Sequence, residues 1–507
     1  MMVDPSSEFS GTKKVRQQLR RKSVWGSLCM AAGSAGDVVV RLVSISILAR
    51  LLNPEEFGLV GMITAVTAIA TQVSHLSLST VTVQRKEITH QQISNLFWIN
   101  SGFGLVVAGI ICALAPLVAD FYHDARLLPA TLLISLSFVW MGFGVQHEAL
   151  LIRQMKQAQS AAARLAASFL GACVAVVLAL RGYGFWSLIW QEIARSFFLM
   201  IAIWVFCPWK PALPGRSGGI GELLRFGRDL TLAQLLNTVV TNLDRLLLGR
   251  FLGGGAVGFY RQAQQLMMAP IEHLNSPIQS VSQPGLSMLQ GDPLRYRRYY
   301  QRMVLTVSLL TMPAAAFAAV FAEELTLLVL GTQWLGVAVL LRVFALAAFV
   351  RPALGTAGVV LITCGRADRL LKLSFLRNAV LVLFTIVGLR WGAVGVAIAQ
   401  LANTLVLLVP VLAYSFRESP VSVSAFAGAV RYPVLCSLLM VGGMIALRPL
   451  MPEMPLIALL ALNGIIGGLL FLAGAFLIPG GRREMAPLVA ALWDTLSMRK
   501  LSGQMGG

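Results

Sequence analysis

The chain has 507 residues, of which 57% are hydrophobic and only 12% charged, with a mean hydropathy of +0.75. Soluble domains carry about 25% charged residues, so this composition excludes a water-soluble fold and places the chain in a bilayer. The formal net charge of +19 does not signal nucleic acid, because the basic residues gather at the ends of apolar runs, where they set membrane orientation.

The chain opens on a basic tail with Lys13, Lys14, Arg16, Arg20, Arg21 and Lys22. Apolar runs of about 20 residues then recur to the far end. They predict fourteen helical spans, at 24–50, 57–83, 93–119, 128–150, 160–180, 184–206, 226–251, 257–288, 303–330, 334–362, 370–389, 391–415, 432–448 and 456–478. The runs are continuous rather than alternating, which excludes a β-barrel. Every second connection is basic: Arg85/Lys86, Arg153/Lys156, Lys210/Arg216, Arg295/Arg297/Arg298, Arg366/Arg369 and Arg417/Arg431. The opposite connections (DFYHDAR, RGYG, GGGA, GTQW, RWG and RPLMPEMP) are short and poor in lysine. Both termini are then cytoplasmic. The first apolar run is too long for a cleavable signal. The six cysteines lack paired spacing, which argues against a disulfide framework or a zinc site.

The longest polar linker, PWKPALPGRSGGIGELLRFGR from Pro208 to Arg228, has the proline and glycine content of a flexible boundary. Six spans precede it and eight follow. The run LARLLNPEEFGLVG (Leu48 to Gly61) returns as LGRFLGGGAVGFYR (Leu248 to Arg261), with Leu48/Leu248, Arg50/Arg250, Leu52/Leu252 and Gly58/Gly258 identical at one ungapped offset. At that offset Asp37 maps to Asn237, Arg41 to Thr241, Ser44 to Asp244 and His75 to Asn275. Aromatic-glycine turns open spans six and twelve, GYGFWSL and RWGAVGV. The expected fold is therefore an all-α polytopic membrane protein with two pseudo-symmetric six-helix lobes in parallel orientation and two extra C-terminal helices. The expected layout is a basic cytoplasmic tail at 1–23, an N-lobe at 24–206, a cytoplasmic linker at 207–225, a C-lobe at 226–415, spans thirteen and fourteen at 416–478, and a second cytoplasmic tail at 479–507.

The motifs ARLLNPEEFGLVG, NLDRLLLGRFLGGGAVGFY and WGAVGVAIAQ, in this order and spacing, resemble the polysaccharide transporter family, the Wzx-type flippases of the MOP exporter superfamily. The likeness covers nearly the whole chain, with GGGA at 253–256 departing from the NPEE of the first copy. It implies two lobes around a central cavity and alternating access. It also implies a multi-pass protein of the bacterial inner membrane whose substrate is an undecaprenyl-diphosphate-linked oligosaccharide for exopolysaccharide or lipopolysaccharide biosynthesis. Beyond that substrate and membrane lipids, the partners would be a polysaccharide polymerase and a chain-length regulator. No cofactor is implied; a coupling ion, H+ or Na+, would supply free energy, or product removal would. A lipid II flippase and a multidrug MOP exporter are the alternatives within the superfamily. A polytopic glycan polymerase or ligase is the alternative from another class.

Polar residues inside the spans are the candidate substrate contacts, since charges at membrane depth cost a few kcal/mol and face protein or water. Asp37, Arg41 and Ser44 share one helix face; Asn237, Thr241 and Asp244 share the equivalent face of span seven. Asp37 and Arg41 would line a polar wall or form a local pair that holds spans together. Asp244 and Arg245 diverge by about 100°, with Asp244 expected towards the cavity. Span two offers Gln72 and His75. Span eight offers Glu272 and Asn275 one turn apart, with Pro270, Pro277 and Pro284 to bend it for transport or as static kinks. Glu192 and Arg195 can neutralise each other within one lobe or touch substrate. Arg351, mid-span before Pro352 and without a sequence-local acid, is the leading diphosphate ligand, because a guanidinium binds phosphate oxygens bidentately. Arg342 lies nearer an interface. The chain lacks a G-x-x-x-x-G-K-[ST] run, a D-x-D motif and metal-ligand histidine spacing, and so reads as a transporter and not an enzyme.

This topology makes residues near Pro129, Gly182, Gly254, Trp391 and Met451 periplasmic. Cysteines engineered there should react with an impermeant maleimide added outside; labelling only from the cytoplasmic side would reverse the orientation.

Overall fold

The computed structural model describes residues 33, 36–74, 82, 88–215, 220–450 and 454–477. Among these residues all regular structure is helical. In chain order the helices are α1 (36–51), α2 (Pro54–Ser74), α3 (His90–Tyr122), α4 (Leu127–Ile134), α5 (Leu136–Arg153), α6 (Gln157–Leu180), α7 (Trp186–Phe206), α8 (Ile220–Met288), α9 (Pro293–Val320), α10 (Ala322–Val329), α11 (Gly336–Thr363), α12 (Ala367–Gly388), α13 (Gly392–Val406), α14 (Leu408–Phe416), α15 (Val423–Leu447) and α16 (Leu456–Leu477). Nine segments of the described residues are long and apolar enough to cross a membrane. They cover expected spans three to six and nine to fourteen, with eleven and twelve in one stretch, Asp368–Phe416. The chain has an all-α polytopic fold. Helices dominate because hydrocarbon offers no water to backbone N–H and C=O groups, which must pair within the chain.

Two helices start earlier than hydropathy suggests. Asp292 caps α9, its carboxylate accepting the Arg295 N–H at 3.0 Å, with Pro293 in the first turn. Ser422 caps α15, its hydroxyl accepting from the Ala425 N–H at 3.2 Å. Arg295, Arg297, Arg298 and Arg431, expected in connections, are therefore helical. Caps set these starts, and hydropathy does not register them.

The contacts divide the chain into two compact units, Met1–Gly258 and Phe259–Gly507. The division falls after Gly258 and not in the 207–225 linker, so the first half of α8 belongs with α1–α7. Helix α8 passes through Pro270, Pro277 and Pro284; its non-helical residue is Gly253, with φ 78° and ψ −178°. Only glycine adopts that conformation freely, so the turn between expected spans seven and eight falls there and not at a proline.

In the first unit, the two copies of the repeated motif pack on each other through their own repeated glycines. A Cβ built on Gly58 would lie 1.7 Å from the Gly254 carbonyl oxygen, and one on Gly258 would lie 2.0 Å from the Pro54 carbonyl oxygen. Small residues let helix backbones approach this closely in a membrane, where dispersion replaces the hydrophobic effect between helices. Two repeat-equivalent pairs share environments: Leu48 and Leu248 are buried, as are Ser44 and Asp244, whereas Leu52 is buried and Leu252 exposed. Alanines of α6 (Ala163, Ala167, Ala175) and Gly171 give the same close packing against α7. At one end of this unit Arg126 bridges Asp124 (2.7 Å) and Glu55 (2.6 Å), and Arg250 contacts His123 and lies over the Phe121 ring at 5.7 Å.

The segment after α7 is not a loose linker over the residues described. Residues 207–215 form a strap laid along the start of α3. Ser94 Oγ accepts the Ala212 N–H (3.0 Å), and Trp98 Nε1 donates to the Ala212 carbonyl (2.9 Å). Gln91 donates to the Leu213 carbonyl (2.9 Å). The Asn95 amide both donates to the Gly215 carbonyl (2.7 Å) and accepts its N–H (3.0 Å). Trp209 donates to His90 Nδ1 at 3.1 Å, and its carbonyl accepts from His147 Nε2 at 3.2 Å. His147 in turn stacks on Trp204. Proline and glycine content suggested flexibility, yet a helical row of side chains on α3 removes it.

In the second unit, α9 and α11 are joined by two buried tyrosine–threonine hydrogen bonds, Tyr296 to Thr363 (2.6 Å) and Tyr300 to Thr356 (2.9 Å). Phe416 packs edge-on to Tyr300. The α11–α12 turn is tied to the α14–α15 turn by Glu418, which accepts from Arg366 (2.5 Å) and Arg369 (2.8 Å). Helices α15 and α16 pack through Cys436, Met440, Met444, Leu460 and Phe471.

Two outcomes follow from this packing. Gly58→Ala or Gly258→Ala should destabilise the protein by about 1–3 kcal/mol or more, because backbone must shift. Gly255→Ala, whose Cβ meets nothing within 4 Å, should be neutral or stabilising. Equal thermal midpoints for all three purified variants would refute the close approach. Gly255 is also a better cysteine-labelling position than Gly254.

Hydrogen bonds first from Arg369 and then from Arg366 hold the Glu418 carboxyl below the ordinary glutamate value. A depressed folded value means that this stabilisation is present above the unfolded value of about 4.3 and disappears as pH falls through the folded one. The stability advantage of the wild type over Glu418→Gln should therefore shrink on acidification from pH 6 towards pH 3; a constant difference would show that the ion pairs contribute nothing.

Candidate functional site

Asp37 and Arg41 lie on α1 and form the local pair, with Arg41 Nε 2.9 Å from Asp37 Oδ2. Ser168 on α6 donates to Asp37, and Gln191 on α7 donates to Ser44 at 3.1 Å. Arg195 binds Glu192 on its own helix, Nε to Oε2 at 3.2 Å, and also feels the Asp37 charge. The first unit thus brings two carboxylates and two guanidiniums into one neutral polar cluster among α1, α6 and α7. Its charges are matched to one another, with the Arg41 side chain still 54% exposed, so it serves helix association at least as directly as it could serve substrate.

Asp244, expected towards a cavity, is only 4% exposed, and its carboxylate accepts the Arg245 N–H at 2.8 Å. Arg245 is half-buried and donates to Asn242 at 3.3 Å. The divergence of the two neighbours holds, but the buried member is the aspartate. His75 lies outside the described residues, as does the side chain of Asn237, the repeat equivalent of Asp37. Glu272 is exposed on α8, while Asn275, one turn on, turns its Oδ1 into a buried position with no hydrogen-bond partner among the described residues. Arg342 pairs with Glu323 at 2.8 Å, and Arg448 pairs with Glu324. These partners lie on neighbouring helices, where sequence spacing could not reveal them.

Arg351 stands apart. It is exposed on α11, and among the described residues it has no hydrogen bond or ion pair to a carboxylate. The exposed apolar residues earlier on this helix are Val339 and Leu346. Arg351 lies about 120–140° around the helix from them, away from that apolar face. The exposed apolar residue nearest its own face is Ile362, in the last turn of the helix. Arg377 of α12 has an exposed surface in the same way; its guanidinium is desolvated first by its neighbours and then acted on by the Arg351 charge, and it has no carboxylate partner among the described residues. Arg377 was missed in the sequence because the connection nearby, Arg366 and Arg369, absorbed the orientation signal. Its position mid-span was the available clue.

No group of three metal-binding side chains occurs among the described residues. A groove of about 420 Å³ on α15 is lined by Leu435, Leu438, Leu439, Gly442 and Gly443; it offers no side chain that could bind a sugar or a phosphate.

Residues 47–339 match the family model described as polysaccharide biosynthesis protein. The lipopolysaccharide biosynthesis protein WzxC of Escherichia coli (strain K12) is 27% identical over 415 residues, 79% of this chain and 84% of that protein. The teichuronic acid biosynthesis protein TuaB of Bacillus subtilis (strain 168) is 25% identical over 65% of this chain and 69% of its own length. The succinoglycan biosynthesis transport protein ExoT of Rhizobium meliloti (strain 1021) is 24% identical over 64% and 65%. Among solved structures, the lipid II flippase MurJ in an inward closed conformation superposes with a TM-score of 0.72 at 12% identity, covering 91% of this chain and all of that one. An inward-facing multidrug resistance MATE family transporter gives 0.59 at 15% identity over 77% and 96%. The fold is shared with these two structures, and with more than half of its length matched by the family model the chain belongs to the polysaccharide biosynthesis protein family.

Proposed function

We propose that this protein is a flippase. It carries an undecaprenyl-diphosphate-linked oligosaccharide from the cytoplasmic to the periplasmic leaflet of the bacterial inner membrane, for exopolysaccharide or lipopolysaccharide assembly. The family match, the polysaccharide-biosynthesis names of its relatives and a fold shared with lipid II and multidrug transporters support transport by alternating access. The observation that carries the reading is Arg351, a mid-helix guanidinium with no carboxylate partner among the described residues. A diphosphate left unpaired at membrane depth is prohibitive; fixed cations lower that barrier, and a few of them, rather than a dense cluster, still let the head group go. The same cation disfavours an exporter of cationic drugs, which it would repel. A glycan polymerase is disfavoured by the short connections between described helices, which leave little extramembrane scaffold to hold its chains.

The protein acts as a transporter and not as an enzyme, with both termini cytoplasmic. A polymerase and a chain-length regulator consume its product, and either H+ or Na+ movement or that consumption drives the cycle. Purified protein in proteoliposomes should flip a fluorescent undecaprenyl-diphosphate oligosaccharide. Arg351→Ala should reduce the rate about tenfold or more, as expected for losing a charge-assisted contact of roughly 1.5–3 kcal/mol, with protein abundance unchanged. Arg351→Lys should restore it only in part, because the bidentate fork is lost. Normal flipping by Arg351→Ala would remove the phosphate role, and no flipping by the wild type would remove the function.

A further inference from the structure

Arg351 and Arg377 sit at matching depth on a helical hairpin. Helix α11 ends at Thr363 and α12 begins at Ala367. Counting from that turn, Arg351 is about 18 Å and Arg377 about 15 Å along its helix. Both side chains are exposed, and the Arg351 charge acts on Arg377. Among the described residues no carboxylate contacts either one. Every other span-interior arginine whose contacts are described above has a polar or acidic partner: Arg41 has Asp37, Arg195 has Glu192, Arg245 has Asn242 and Arg342 has Glu323.

Neither arginine belongs to the main apolar face of its helix. On α12 the exposed Leu376, Leu383 and Val387 fall within about 40° of one another, and Arg377 lies about 100° from Leu376. A guanidinium facing hydrocarbon at mid-depth is the least favourable arrangement available, so both groups face water or an anion. Two such groups side by side repel. That repulsion raises the free energy of the empty state, and one anion bound between them relieves it. A bound monoanion leaves one positive charge uncompensated, whereas a dianion matches the pair.

We propose that Arg351 and Arg377 form a two-pronged clamp that selects a lipid carrying a diphosphate over one carrying a monophosphate. A sugar esterified to a lipid diphosphate presents two negative charges, and one esterified to a lipid monophosphate presents one. Each guanidinium takes one phosphoryl group through paired N–H donors. This clamp rests on the flippase reading and adds Arg377 to it as a specificity-determining residue.

The test is a ratio. Proteoliposomes are loaded with the same fluorescent oligosaccharide on undecaprenyl diphosphate or on undecaprenyl monophosphate, and flipping rates are compared. The wild type should favour the diphosphate by about tenfold or more, Arg377→Gln should bring the ratio towards one, and Arg377→Lys should keep most of it. A merely structural role for Arg377 would lower both rates together and leave the ratio alone. That result, or a wild type indifferent to the head group, overturns the clamp and leaves the flippase intact. A wild type that flips neither lipid overturns both. If Arg377→Gln does not fold, competition on the wild type decides: inorganic pyrophosphate should inhibit flipping at lower concentration than inorganic phosphate, and equal potency rejects the clamp.

Discussion

In hydrocarbon there is no solvent to complete an unfinished hydrogen bond or to screen a charge, and the rest of this structure follows from that. Backbone groups are satisfied inside helices, and charged side chains are satisfied mostly by one another. Asp37 and Arg41 meet one turn apart, Glu192 and Arg195 meet on the next element of the same cluster, and Arg342 and Arg448 reach across to Glu323 and Glu324. Neutral pairing is thus common among the described residues, and Arg351 and Arg377 depart from it.

Much of the architecture was legible in the sequence because the bilayer writes a one-dimensional code. Uninterrupted apolar runs mark spans, and clusters of arginine mark their ends. The repeat was legible through a handful of positions, and Gly58 and Gly258 turn out to be physically tied: each sits where the other copy's backbone comes closest. Symmetry-related contacts near an axis involve the same residue from both copies, so such positions keep their identity after neighbours have drifted apart.

What stayed illegible was pairing between elements. Asp37, Arg41 and Ser44 left a polar wall and a local pair both open, and the bonds that Ser168 and Gln191 make to Asp37 and Ser44 come from helices more than a hundred residues away. Asp244 was placed towards open space by helix angle alone; burial, which helix angle does not report, puts it in the interior. Helix starts were misread by hydropathy wherever a polar cap such as Asp292 or Ser422 added turns beyond the apolar run. Arg377 illustrates the same limit, since its significance appears only when the hairpin folds it level with Arg351.

The strap at 207–215 bears on the order in which the molecule is assembled. Its receptor, the row His90, Gln91, Ser94, Asn95 and Trp98, leaves the ribosome more than a hundred residues before Gly215 does. Chains are made from the N-terminus and fold domain by domain. When Trp209 emerges, its His90, Phe97 and His147 partners are already in place. The strap can therefore close over α3 before α9 or any later helix has been synthesised. It works as a clasp that finishes α1–α7 while the rest of the chain is still being made, and it keeps the start of α3 from accepting the wrong neighbour in the interval.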